Sequence, residues 1–221
     1  IPTCGTTRSW PSTSASGCVE GGKMALHPNE ATIPEPWPTR LRPGAAALVI
    51  VDMQNDFVSP EGKMAALGFA LADVATIVAP LGRLLAAARD AGLLVVHTRM
   101  LNDRAQNSPS WYAFWGEPVV AKYGYGAFLG TNLDTILRRA GVQTVIVAGT
   151  GPEICAGDTL RQAFAFGYHV VAVADCLASF SRAGRAMNQD LKRAALYTIE
   201  NHYGLVTTAD ALARLWQEPS R

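Results

Sequence analysis

The sequence predicts an α/β domain, with a mostly parallel, Rossmann-like sheet of about six strands held between two layers of helices. Three observations point there. Short, largely apolar runs rich in Val and Ile occur at 46–51, 93–97, 144–148, 170–174 and more weakly 205–208, as in strands buried on both faces. Stretches with helical spacing of apolar residues lie between them in strict alternation, which is the pattern of a sheet covered by helices on both sides. The composition agrees: 221 residues, 49% apolar and 17% charged, are enough to bury a core without disulfide or metal and exclude disorder of the whole chain.

Residues 1–23 are rich in Ser, Thr and Gly and show no apolar periodicity; they read as a disordered or extraneous extension, without the apolar core of a signal peptide. Residues 24–44 form an arm punctuated by Pro28, Pro34, Pro36, Pro38 and Pro43, expected to be extended and to lie on the surface. One domain is expected over 45–221. Its first helix, 74–91, carries Val74, Ile77, Val78, Leu81, Leu84, Leu85 and Ala88 on one stripe and ends before Gly92. A second, 132–140, follows Thr131 as a candidate cap and stops at Gly141; a third, 155–166, stops at Gly167; a fourth covers 185–199. Glycine just past a helix is the usual left-handed cap. Ligands of such folds bind beyond the carboxyl ends of the strands. The end of the first strand, the loop after the second and the turn opening the helix at Cys155 therefore share one edge.

A formal charge of +1 offers no basic patch for nucleic acid, and no apolar stretch is long enough to span a membrane. Cysteines 4, 18, 155 and 176 form no CxxC pair, a pattern of individually placed thiols in a reducing, cytoplasmic setting. Histidines 27, 97, 169 and 202 lack ligand spacing, so neither metal nor cofactor is expected.

Three residues can carry chemistry. Cys155 closes Gly149-Thr150-Gly151-Pro152-Glu153-Ile154-Cys155 at the mouth of a helix, where unsatisfied N–H groups favour a thiolate and lower its pKa; the alternative is a small buried hydrophobe. Asp52 follows four aliphatic residues at the end of the first strand, where a carboxylate could exchange protons with a thiol; the alternative is a loop or cap carboxylate, a description that suits Asp56 better. Lys122, between an apolar run and a Gly/Tyr loop, could hold that carboxylate ionised, or be a surface lysine.

Taken together, the Val51-Asp52-Met53-Gln54-Asn55-Asp56-Phe57 segment, the Lys122…Tyr125…Ala127-Phe128 block and the Gly149…Cys155 turn resemble, in order and spacing, the three motifs of the isochorismatase-like cysteine hydrolases. The resemblance covers about 40–216. It implies the isochorismatase-like form of the three-layer fold and a triad of Cys155 as nucleophile, Asp52 as general base and acid, and Lys122 as electrostatic support. It also implies a cis peptide at Thr150–Gly151 that presents the N–H of Gly151 beside that of Cys155 as an oxyanion hole. Pro152, Glu153 and Gly126 depart from the family's usual Thr or Ser, Asp or Asn, and Ser.

Within the superfamily, the segment after the second strand has one histidine, His97, and lacks the nicotinamidase metal site. A cysteine at 155 argues for C–N cleavage over vinyl-ether hydrolysis. The proline arm, the Gly62…Gly68 segment and Asp158-Thr159-Leu160-Arg161 are similar to the ureidoacrylate and biuret amidohydrolases. That implies a linear ureido or carbamoyl amide, a thioester intermediate and release of ammonia or an amine. Substrate contacts are expected from Gln54, Phe57, Tyr125 and Trp111 in an aromatic loop that also suits a subunit contact, hence a homo-oligomer, dimer or tetramer. Alternatives are a nicotinamidase-like or other aromatic-amide hydrolase, or a decayed binding protein on the same fold; a nucleotide binder ranks last for want of a GxGxxG or P-loop.

Overall fold

The computed structural model describes residues 33–101, 117–182 and 187–218. Six aliphatic residues in succession make β1 (Ala46–Val51), buried at every position. Such a strand needs neighbours on both edges and helices on both faces, and it has them. It pairs in parallel with β3 (Leu94–Met100) on one side and β5 (Thr144–Thr150) on the other. With β4 (Val119–Lys122), β6 (His169–Ala178) and β8 (Gly204–Thr207) the sheet runs β4-β3-β1-β5-β6-β8, parallel throughout. The chain builds outward from β1 to β3 and β4, then returns to lay β5 on the opposite edge of β1. The order thus reverses between β1 and β5, and the crevice of such a sheet opens beyond the carboxyl ends of those two strands.

Alternation along the strands sorts the core into two layers. Leu48, Ile50, Ile146, Val171 and Val173 meet α4 (Ala72–Asp90) and α8 (Ala209–Gln217) through Leu81, Leu84, Ala88 and Leu212. Val49, Val51, Val145, Val147 and Ala172 meet α5 (Leu133–Arg139), α6 (Cys155–Ala165) and α7 (Asn188–His202) through Leu137, Leu160, Leu196 and Ile199. Gly92, Gly141 and Gly167, just past α4, α5 and α6, take the expected positive φ. The cap position of α5 falls on Asn132 and not on the expected Thr131, whose hydroxyl, one residue earlier, still accepts from the Leu133 N–H at 3.1 Å.

The sequence pattern missed β4, because an edge strand of four residues ending in lysine carries too little apolar signal. It also missed α8, whose cap Thr208 falls at the end of the expected 205–208 strand; its hydroxyl accepts from Ala211 N–H at 3.3 Å. A two-stranded pair of β2 (Phe69–Ala70) and β7 (Ser181–Arg182) escaped as well, as did the single helical turns α2 (Asn55–Val58) and α3 (Lys63–Ala66). The proline arm is not extended throughout. Trp37–Arg40 form a helical turn, α1, and Leu41 is completely buried, with the Trp216 indole donating to its carbonyl at 2.9 Å. Burying Leu41 and packing Trp37 outweigh the preference of the prolines for extended chain. No helix among the described residues is long and apolar enough to cross a membrane.

Candidate active site

Asp52 is the first residue beyond β1, and it leaves the strand with φ 53, a left-handed conformation that aspartate tolerates better than most residues. Its side chain is inaccessible to solvent. A buried carboxylate needs partners, and it has one for each oxygen. The Thr98 hydroxyl donates to Oδ1 at 2.8 Å; the register that sets Thr98 beside Val51 brings it there. The Lys122 Nζ lies 2.7 Å from Oδ2, with no exposure of either side chain. That oxygen makes no aligned hydrogen bond in addition to the ion pair. Lys122 closes β4, which pairs with β3 and not with β1, so its long side chain reaches past the end of β3. Its ammonium also donates to the carbonyls of Gly124 at 3.1 Å and Tyr125 at 2.8 Å. One carboxylate and two carbonyls match the three protons of the ammonium.

Cys155 opens α6 directly after the turn that follows β5. Gly149 sits at φ +119 where a Cβ would collide with the Val51 backbone, so β5 approaches β1 more closely there than any side chain permits. Gly151 anchors the turn: its carbonyl accepts from Ile154 and Ala156 at 2.9 Å and Gly157 at 3.2 Å, while its own N–H donates to Ala178 O at 2.8 Å. The Cys155 thiol, 7% exposed, lies near enough to the Asp52 carboxylate to feel its charge. Burial, then the charge of Asp52, push the thiol up to about 12 against the opposing pull of Lys122. The expected lowering by the helix N-terminus is therefore overturned: removal from water and a neighbouring carboxylate outweigh the helix dipole. The thiol rests protonated, with a carboxylate nearby to receive the proton. The Cys155 N–H has no hydrogen-bond acceptor among the described residues.

A family model described as Isochorismatase domain matches residues 46–211, about three-quarters of the chain. The chain belongs to the isochorismatase family. Curated relatives include a ureidoacrylate amidohydrolase RutB from Pseudomonas syringae pv. syringae, 29% identical over 84% of this chain and 89% of that protein. Another of the same name from Variovorax paradoxus is 29% identical over 81% and 84%. Among solved structures, a cysteine hydrolase from Pseudomonas syringae pv. phaseolicola superposes with a TM-score of 0.67 at 27% identity, covering 80% of this chain and 94% of that one. An isochorismatase family protein from Burkholderia thailandensis gives 0.61 at 27%, covering 79% and 97%.

Against the pattern implied for an isochorismatase-family chain, several expectations change. Thr150–Gly151 is a trans peptide; Glu35–Pro36 is the cis bond among the described residues. The Gly151 N–H is committed to Ala178 O, so of the two donors expected for an oxyanion the Cys155 N–H alone is open. The Gln54 amide grips the end of β3, accepting from Met100 N–H at 2.8 Å and donating to Met100 O at 3.2 Å. Phe57 is buried against Phe180, ring centres 6.3 Å apart. Tyr125 contributes its carbonyl to Lys122 while its side chain is exposed. Trp111 and its aromatic loop lie outside the described residues. Glu153 ties the turn to the end of β6, accepting from the Ser179 hydroxyl at 2.7 Å. His97 pairs at 2.7 Å with Glu117, which also holds Arg89. Among the described residues no group of three or more His, Cys, Asp or Glu could hold a metal ion.

Thr98 and the carbonyls of Gly124 and Tyr125 were missed by sequence reasoning. Thr98 carried a usable signal, a hydroxyl one residue past an apolar strand run at the ligand edge. Backbone carbonyls carry none.

Proposed function

We propose that the protein is a cysteine-dependent amidohydrolase that cleaves a linear C–N amide of the ureido or carbamoyl class through a thioester at Cys155. One observation carries the reading: a thiol and an ammonium converge on a single buried carboxylate, Asp52, at the point where the strand order reverses. The names of the curated relatives support the ureido class.

In this scheme the Sγ–H proton passes to Asp52 as Sγ bonds to the amide carbon, and the carbonyl electron pair moves onto oxygen. The developing charge meets the Cys155 N–H, a donor of a kind worth about 10²–10³ in rate. Collapse breaks the C–N bond, and the leaving nitrogen takes the proton from Asp52. Water then adds to the thioester, giving a proton to Asp52, and the C–S bond breaks with that proton returning to sulfur. Asp52 is thus base and acid in turn. Lys122 keeps a positive charge against it throughout, and Thr98 fixes its orientation. A resting neutral thiol suits this site, since no second anion is buried beside Asp52 until an acyl carbon is present to receive the sulfur. The reading extends to a cytoplasmic homo-oligomer, supported by the thiol pattern and the aromatic segment around Trp111.

Ammonia release from biuret, ureidoacrylate, carbamoyl amino acids and nicotinamide tests the assignment. Turnover of a ureido or carbamoyl compound, lost in Cys155→Ala, is expected. Turnover of nicotinamide alone contradicts the substrate class.

A further inference from the structure

We propose that Gln162 is a positioning residue for the Lys122 ammonium, acting through the loop that supplies its two carbonyl partners. The inference rests on the reading of Asp52, Lys122 and Cys155 given above and adds a residue to it.

The carbonyls of Gly124 and Tyr125 belong to a segment without helix or strand between β4 and α5. Tyr123, Tyr125 and Leu129 in that segment are exposed, so the side chains there do little to fix its path. The fixing comes from α6. The Gln162 Oε1 accepts from the N–H groups of Phe128 at 3.0 Å and Leu129 at 3.3 Å. The flat carboxamide lies against the Cα of Gly126, so closely that a Cβ at 126 would overlap its Nε2, Cδ and Oε1. Gln162 therefore holds the loop by two backbone hydrogen bonds after Gly126 and by surface contact at Gly126 itself, immediately beyond the carbonyls that grip the ammonium. The lack of a side chain at 126 is explained: the space is filled from the neighbouring helix.

Gln162 lies two turns along α6 from Cys155, spaced for the same face. One rigid helix thus sets the thiol with its first residue and, through Gln162 and the 124–129 backbone, the cation that faces the shared carboxylate. Displacements of about 1 Å in such a support cost up to about 100-fold in rate.

The test compares Gln162→Met, which fills the space without accepting hydrogen bonds, with Gln162→Glu, which keeps the acceptor oxygen that Phe128 and Leu129 use. Two readouts are used: the steady-state constants on whichever amide the panel identifies, and solvent exchange of the Lys122 Nζ protons by ¹⁵N NMR, the resonance being assigned by its loss in Lys122→Arg. Gln162→Met is expected to lower kcat by about 10- to 100-fold with KM changed by less than about twofold. It is also expected to speed ammonium exchange by about tenfold, and Gln162→Glu to restore both. Gly126→Ala, which pushes on the carboxamide from the other side, is expected to mimic Gln162→Met and serves where that variant does not fold. Wild-type kcat and exchange in a folded Gln162→Met overturn the proposal, as does a Gln162→Glu that behaves like it. Should the wild-type protein hydrolyse no amide, the reading of the reaction fails, and the exchange comparison still decides the role of Gln162.

Discussion

Lys122 reaches Asp52 across 2.7 Å from a strand that does not pair with the aspartate's own, and neither side chain has any contact with water. An ion pair so placed contributes less to net stability than its short distance suggests, because both charges have left water. Its value lies in fixing where the carboxylate and the ammonium stand. The energetic consequence is asymmetric: losing one partner is worse than losing both.

Lys122→Met is expected to destabilise the fold by about 3–5 kcal/mol in urea unfolding, since it strands a buried carboxylate. Adding Asp52→Leu should recover part of that loss while leaving the protein inactive. Additive losses in the double variant count against direct coupling of the two charges.

Thr98→Val keeps the shape of the residue and removes the donor to Asp52 Oδ1. A cost of about 1–3 kcal/mol in stability is expected from the unsatisfied oxygen, together with a fall in kcat from the loosened base. Unchanged kcat would show that the ion pair orients Asp52 unaided.

The thiol makes a pH prediction. Burial and Asp52 raise Cys155 from 9.0 to about 12, so the folded state holds this proton more tightly than the unfolded chain. The stability that follows is complete below about 9 and is lost as pH rises towards about 12. Cys155→Ala should flatten the alkaline decline. It should not abolish it, because burial and Asp175 raise the thiol of Cys176 as well. Alkylation of Cys155 by iodoacetamide should climb without an inflection between about pH 6 and 8; an inflection near neutrality is the signature of a preformed thiolate and contradicts this picture.

Gly149→Ala is expected to destabilise by about 2–3 kcal/mol or more in thermal or urea unfolding. The added Cβ would have to displace the Val51 backbone, and the backbone itself is at φ +119. A variant with wild-type stability would mean that β1 and β5 can separate beside the site without cost.

The layout of sheet and helices was legible because β1, β5 and β6 are buried on both faces, which forces continuous apolar runs, and because α4 shows its buried stripe openly. The edge strand β4 was not legible, although it delivers Lys122: half of its residues face partial solvent and its last is charged. Asp52, Lys122 and Cys155 could be picked out by residue type and place. Their electrostatics could not. The position of Cys155 at a helix N-terminus argued for a lowered pKa, but the direction is set by burial and by a carboxylate distant in sequence. The role of Gln54 was hidden for a related reason. A polar side chain beside Asp52 reads as a ligand contact, and nothing in the sequence shows that the backbone of Met100 bonds to both ends of its amide. Gly126 read as the loss of a hydroxyl, when the space it leaves is taken by Gln162, a residue thirty-six positions further on.

The most direct measurement is mass analysis of acid-quenched reaction mixtures during turnover of a ureido or carbamoyl amide. The account predicts an acyl adduct on the peptide that contains Cys155, absent from Cys155→Ala, whose turnover should fall to background. Steady hydrolysis by Cys155→Ala at rates near those of the wild-type protein, with no adduct on either, would contradict it.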